Sequence, residues 1–214
     1  MHTEHLVKFS QLSPHDKTEG GFRTKANRKN FPILQGMSLY KLVLEMRGAR
    51  EPHWHPNADE LGYCLKGSIL VNLYHTDDER ASFLVRPGEV FLIPSGALHS
   101  IENVGESEAE LLLQFSHEDP EDFHLSSVFG MFSDAVLGNT WNTGAETFRS
   151  LKRSLNYSFA ALCKEKAAVS DEALYGSVYR FDLEGSEPIL ANKGGSARMA
   201  RQSVWPIAKR QALY

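Results

Sequence analysis

Between positions 38 and 115 the chain is cut into short runs rich in Val, Leu, Ile, Phe and Tyr, each bounded by Gly, Pro, Asn or Asp. This is the pattern of closely spaced β-strands. Only a few residues separate the runs, too few for the crossover helices that parallel neighbours need, so the strands pair antiparallel in a barrel or sandwich. Strands are predicted at 39–46, 60–65, 69–74, 83–85, 90–93, 100–103 and 110–115.

Beyond Phe115 the character changes. An acidic loop at 116–122 leads into Leu125, Val128, Phe129 and Phe132, spaced as on one helical face, with Gly138 read as a helix stop. Weaker helical patterns follow at 143–151 and 157–168. The fold class expected is therefore all-β with a helical appendage. Its parts are an N-terminal arm at 1–37, a barrel core at 38–116, a helical extension at 117–178 and a C-terminal arm at 179–214.

The two arms resemble each other. Gly20-Gly21 through Phe31-Pro32-Ile33 to Leu39-Tyr40 lies without gaps on Gly194-Gly195 through Trp205-Pro206-Ile207 to Leu213-Tyr214, and Ala26 matches Ala200. The second copy is expected to act as an arm that pairs with a sheet edge in its own or a partner subunit.

Composition narrows the function classes. In 214 residues, 42% are hydrophobic, enough for one well-packed domain. Lys and Arg number 23 against 27 Asp and Glu, so there is no basic footprint for nucleic acid or an anionic membrane. Cys64 and Cys163 lack the spacing of a zinc ribbon or a disulfide scaffold. The leader Met-His-Thr-Glu-His has no apolar core of a secretory signal, and a soluble, cytoplasmic protein is the expectation.

Two stretches carry the chemistry. In the first, Gly48, Arg50, Glu51, Pro52, His53, Trp54, His55 and Pro56 are followed by Glu60 and Gly67. Side chains alternate along a strand, so His53 and His55 project from one face and can grip one ion, while Trp54 points away into packing. A short turn lets Glu60 return a carboxylate to that ion. In the second, Gly88 to Ile93 runs into Pro94-Ser95-Gly96-Ala97-Leu98-His99, with Asn103 beyond. The Pro-Gly turn delivers His99 from another strand. Three imidazoles and one carboxylate suit Mn, Fe, Ni, Co, Cu or Zn, with coordination positions left for a substrate. His2, His5, His15, His75, His117 and His124 lack ligand spacing, and Cys64 reads as a buried, inert thiol.

The joint pattern, His-x-His-x4-Glu-x6-Gly followed by Gly-x5-Pro-x-Gly-x2-His-x3-Asn, resembles the paired motifs of the cupin superfamily. The run from Arg50 to Glu60 is most similar to the germin-like and bacterial oxalate decarboxylase branch. One departure is that Gly48 stands four residues before the first His, where the motif usually has five. The resemblance implies a cupin β-barrel, or jelly roll, with a partial second cupin at the C-terminus. It implies a manganese site on His53, His55, Glu60 and His99, a small carboxylate substrate held by Arg50, and a homo-oligomer. It also places a proton-relaying lid acid in the loop after the last barrel strand, where the family's Ser-Glu-Asn-Ser-Thr is missing and Glu118, Glu121 or Asp122 would substitute. Three functions stay open: an oxalate decarboxylase-like carboxy-lyase, a non-catalytic metal-binding module derived from a two-domain enzyme, and another cupin activity such as dioxygenation or sugar isomerisation.

Overall fold

The computed structural model describes residues 5–76, 79–149 and 158–211. Its strands begin with β1 (Asp16–Thr18), β2 (Gly21–Ala26), β3 (Ser38–Leu44), β4 (Gly48–Trp54), β5 (Glu60–Lys66), β6 (Ile69–Tyr74) and β7 (Arg80–Val85). They continue with β8 (Glu89–Ile93), β9 (Leu98–Asn103), β10 (Ala109–Phe115) and the short β11 (Phe123–His124). Three small helices follow, α1 (Leu125–Met131), α2 (Asp134–Thr140) and α3 (Glu146–Arg149). Then come β12 (Ala160–Leu162), α4 (Asp171–Leu174), β13 (Arg180–Asp182), β14 (Leu190–Asn192) and β15 (Gly195–Ala197).

Two antiparallel sheets face each other. One has the order β1-β2-β3-β10-β5-β8-β13, the other β11-β4-β9-β6-β7 with β12 on the far end of β4. Alternation in β10 sends Ala109, Leu111, Leu113 and Phe115 inward, where they meet Tyr40, Leu42 and Leu44 of β3 and Ile69, Val71 and Leu73 of β6. This is the all-β barrel expected from the run spacing, and all seven predicted strands are present.

One strand breaks strict alternation, and the site depends on it. Opposite β9, Arg50 pairs with Ile101 but His53 pairs with His99, so β4 carries one extra residue in between. Pro52, which has no N–H to donate, sits in this bulge. Three positions apart on a regular strand, Arg50 and His53 would face opposite ways. The bulge turns both inward, and both are 2% exposed.

Gly67 and Asn103 of the sequence pattern shape the far end of the barrel. Gly67 has φ of 92°, and a Cβ there would lie 2.6 Å from Cβ of Ala109. The Asn103 amide donates to the carbonyls of Leu44, Glu45 and Ser107, closing that end.

Two local expectations fail. Gly138 lies inside α2, because the turn after the helix folds back on it and a Cβ would meet the Thr143 carbonyl oxygen at 2.8 Å. The helical pattern at 157–168 gives way to strand β12, since the open edge of β4 accepts Ala160, Ala161 and Leu162 opposite Arg50, Ala49 and Gly48. Tyr157, like Ser150, Leu151, Leu213 and Tyr214, lies outside the described residues.

The C-terminal residues return to the same molecule, where β13 extends the sheet along β8 and Trp205 packs on Val90 and Leu92. The hairpins of the two arms share a register. Asp16 pairs with Arg23 and Thr18 with Gly21, and Leu190 pairs with Ala197 and Asn192 with Gly195.

The β12 strap crosses the backbone of Gly20, where a Cβ would stand 2.3 Å from the Ala161 carbonyl oxygen. Gly20→Ala is expected to cost about 2 kcal/mol by lifting the strap, a fall of roughly 4–8 °C in the calorimetric midpoint.

Candidate metal centre

At the end of the barrel opposite Asn103 three loops interlock. Gly96, with φ of 80°, donates its N–H to the His55 carbonyl, and Ser95 donates its N–H to the Asp59 carboxylate at 2.6 Å and its hydroxyl to the Pro56 carbonyl. Asp59 in turn exchanges hydrogen bonds with Ser116. Backbone geometry thus fixes the chain on either side of His55, Glu60 and His99.

These loops and the β4 bulge bring together the four sequence-predicted ligands. His53, His55, Glu60 and His99 are all buried, and one donor atom from each lies within 4.8 Å of the others. Each imidazole is held by Nδ1. That of His53 lies 2.7 Å from the Glu51 carbonyl, and that of His99 lies 2.9 Å from the Ala97 carbonyl. That of His55 lies 3.0 Å from both the Glu121 carbonyl and the Asp122 carboxylate. Carbonyls only accept, so Nδ1 carries the proton and Nε2 is left for a ligand.

Among the described residues, His99 Nε2 and Glu60 Oε1 are buried without a hydrogen-bond partner. Buried polar atoms of this kind are costly unless something fills the space between them. A divalent cation would satisfy both, so the residues fit a metal, and its open positions would polarise a bound carboxylate.

Without the ion, the protonation states follow from burial and neighbours. Burial disfavours charge on His53, and the adjacent Arg50 adds to this, so its pKa falls well below the ordinary value. Burial acts the same way on His55, but hydrogen bonds to Asp122 and Glu60 outweigh it and raise the group to about 9. For Glu60 burial works against the carboxylate, and contacts to His55 and His99 overcome it, lowering the pKa to about 2.

Arg50 lies against the metal cluster as expected, 2% exposed. Its Nη1 donates to the Phe159 carbonyl at 3.1 Å, its Nη2 stands 3.4 Å from Asp122, and Nη2 has no hydrogen bond among the described residues. Burial lowers the guanidinium pKa to about 10 despite Asp122, which leaves the group charged at neutral pH.

The three candidate acids of the 116–122 loop, Glu118, Glu121 and Asp122, divide. Glu118 accepts from Arg28 at 2.7 Å and from the Gly36 N–H at 2.9 Å. The Glu121 side chain is exposed, and its contribution is the carbonyl that holds His55. Asp122 alone reaches the centre, joining His55, Arg50 and, at 2.9 Å, Arg23. Its carboxyl is held far below the usual range, because contacts with His55, Arg23 and Arg50 overcome the effect of burial.

Two residues of the site were not visible in the sequence. Arg23 comes from β2, remote in the chain, and its guanidinium spans Asp16 and Asp122. His124, set aside for want of ligand spacing, pairs across strands with His53 and lies 3.5 Å from both Glu51 and Arg50. The cue was its position just after the acidic loop, where a short strand can rejoin β4.

Three outcomes are expected. Glu60→Gln and His99→Ala should each abolish stoichiometric metal in elemental analysis while the far-ultraviolet spectrum is kept. At pH 7 metal uptake should release about one proton, seen calorimetrically as a dependence on buffer ionisation enthalpy, because His55 is protonated before the ion binds. On the acid side, the lowered Glu60 pKa stabilises the metal-free fold above pH 4.5, and this contribution is lost between pH 4.5 and about 2. The Glu60→Gln midpoint should fall less steeply over that window.

Comparison with known proteins agrees with this geometry. Residues 8–149 match the family described as Cupin. A germin-like protein, subfamily T member 2 of Arabidopsis thaliana, is 34% identical over 133 residues, 59% of this chain and 60% of that protein. Oxalate oxidase GF-2.8 of Triticum aestivum is 38% identical over 88 residues, 40% of this chain and 39% of the relative. The chain thus spans less than two thirds of these relatives. The fold is shared with oxalate decarboxylase from Bacillus subtilis at a TM-score of 0.79 and 20% identity, covering 94% of this chain and 53% of that one. The sequence pattern, the barrel and the family match together make this chain a member of the cupin family.

Proposed function

We propose that this chain binds manganese at His53, His55, Glu60 and His99 and holds a small carboxylate of the oxalate class between the ion and Arg50. The observation that carries the reading is the Arg50 guanidinium: buried, charged and beside the ligand cluster, with Nη2 close to Asp122 but without a hydrogen bond among the described residues. A guanidinium donates parallel hydrogen bonds to a carboxylate, and here it does so in a site shielded from water. The oxalate oxidase relatives and the solved oxalate decarboxylase, whose Mn(II) centres are described, supply the substrate and metal for this reading.

The surrounding residues have separate tasks. Asp122 and the Phe159 carbonyl hold Arg50 in place, and Asp122 with the Glu121 carbonyl sets the tautomer of His55. The void beside the ligands is small, with room for about one water molecule, so it favours the most compact carboxylates. In decarboxylation the C–C bond of the oxalate dianion breaks, carbon dioxide leaves, and the carbon that keeps the electron pair takes one proton to give formate. The proton would come from the 116–122 loop.

A binding role without turnover is favoured by one feature, the engagement of Glu118 with Arg28 and the Gly36 N–H, which keeps that acid occupied. Assay of manganese-loaded protein with oxalate separates the readings. Formate and carbon dioxide support the lyase, hydrogen peroxide an oxidase, and tight binding with no product a binding module. Arg50→Ala should keep its metal and weaken oxalate binding by about 2–5 kcal/mol in calorimetry.

A further inference from the structure

The cavity beside the metal ligands has one wall that the barrel itself does not supply. Phe159 precedes β12, is 3% exposed, and lines this space together with His53, His55 and Glu60. Its ring lies beneath two guanidinium groups, with the carbon of Arg23 at 4.7 Å and that of Arg50 at 5.0 Å from the ring centroid. Both contacts are within cation–π range.

The ring is held from several directions. The backbone beyond it is a strand on β4, and Thr18 Oγ1 donates to the Ala160 carbonyl at 2.6 Å. Arg50 binds the Phe159 carbonyl, not its side chain, so the backbone anchors the guanidinium while the ring occupies volume. Of the two arginines, Arg23 has each guanidinium nitrogen on Asp16 or Asp122, whereas Nη2 of Arg50 has no hydrogen bond among the described residues.

We propose that Phe159 is the size filter of this site: its ring fills the space beside the ligand cluster down to about the room of one water, and so favours a two-carbon dicarboxylate over longer ones. The inference rests on the carboxylate reading above and adds to it the residue that determines specificity. The remaining walls, including Leu42, Ile101, Leu113 and Phe115, are barrel core with the metal ligands among them. Phe159 is the wall residue outside the barrel strands. Truncation therefore deepens the cavity and leaves the Arg50 carbonyl bond in place.

The test is calorimetric titration of manganese-loaded protein with oxalate, malonate and succinate, for the unaltered chain, Phe159→Leu and Phe159→Ala. The unaltered protein should bind oxalate at least tenfold more tightly than malonate, since one methylene in a close-fitting pocket is worth roughly 10–200-fold. Phe159→Ala should reduce that ratio at least tenfold, mainly by gaining malonate affinity, with Phe159→Leu in between and metal content unchanged. If Phe159→Ala does not fold, the Leu variant decides by the direction of the ratio. Oxalate preference kept within twofold in a folded variant overturns the filter and leaves the carboxylate reading standing. Malonate bound as tightly as oxalate by the unaltered protein overturns the filter without any variant. Absence of binding by all three acids removes the carboxylate reading itself, and the filter with it.

Discussion

A carboxylate sits at the centre of the barrel, 1% exposed, with three imidazoles around it. Taking such a group out of water costs several kcal/mol unless charge and hydrogen bonds compensate it. The protein has arranged both. His55 can carry the opposing proton when no ion is present, and a metal would replace that proton and satisfy the remaining orphan atoms. Every other feature of the site serves to keep this cluster assembled: the bulge that turns His53 inward, the Pro-Gly turn that aims His99, and the carbonyls that fix each Nδ1.

Around that centre a second group of charges ties remote segments together. Asp122 joins Arg23 from the N-terminal hairpin, Arg50 from the bulged strand and His55 from the ligand set. Removing any one member leaves the others buried and unbalanced, which is why such groups are costly to break though not strongly stabilising in themselves. Through it the position of the 116–124 segment is coupled to the tautomer of a ligand and to the Arg50 guanidinium. A loop that looks like a solvated acidic turn in the sequence is thereby made part of the site.

The parts legible in the sequence were those encoded by local pattern. Alternating apolar runs gave the strands, and ligand spacing gave His53, His55, Glu60 and His99, because a two-residue period on a strand fixes facing without knowledge of the fold. Arg50 was placed by resemblance, since strict alternation from His53 sends it to the wrong face. Its true cause is the extra residue at Pro52, visible only once the register against β9 is known. Arg23, Phe159 and His124 could not be read, because each reaches the site through pairing with a strand distant in sequence. Helical pattern misled at 157–168 for the same reason. An open strand edge at β4 outweighs a weak local preference for helix.

The two arms show how little of a segment's role is contained in its own backbone. Both hairpins have the same pairings, both second strands begin at a glycine with φ near 150°, and in both the turn that follows places two N–H groups on one carbonyl: Asn30 and Phe31 on Asn27, Val204 and Trp205 on Arg201. The N-terminal β2 is buried because β3 lies along its other edge, and that burial is what lets Arg23 reach Asp122. At the matching place in β15 stands Ala197, exposed, and among the described residues β15 pairs only with β14. The same local geometry thus supports a metal-site arginine in one copy and a surface hairpin in the other. The difference lies in the strand beside it, not in the hairpin, so the chemistry of the first copy is a property of the barrel it completes.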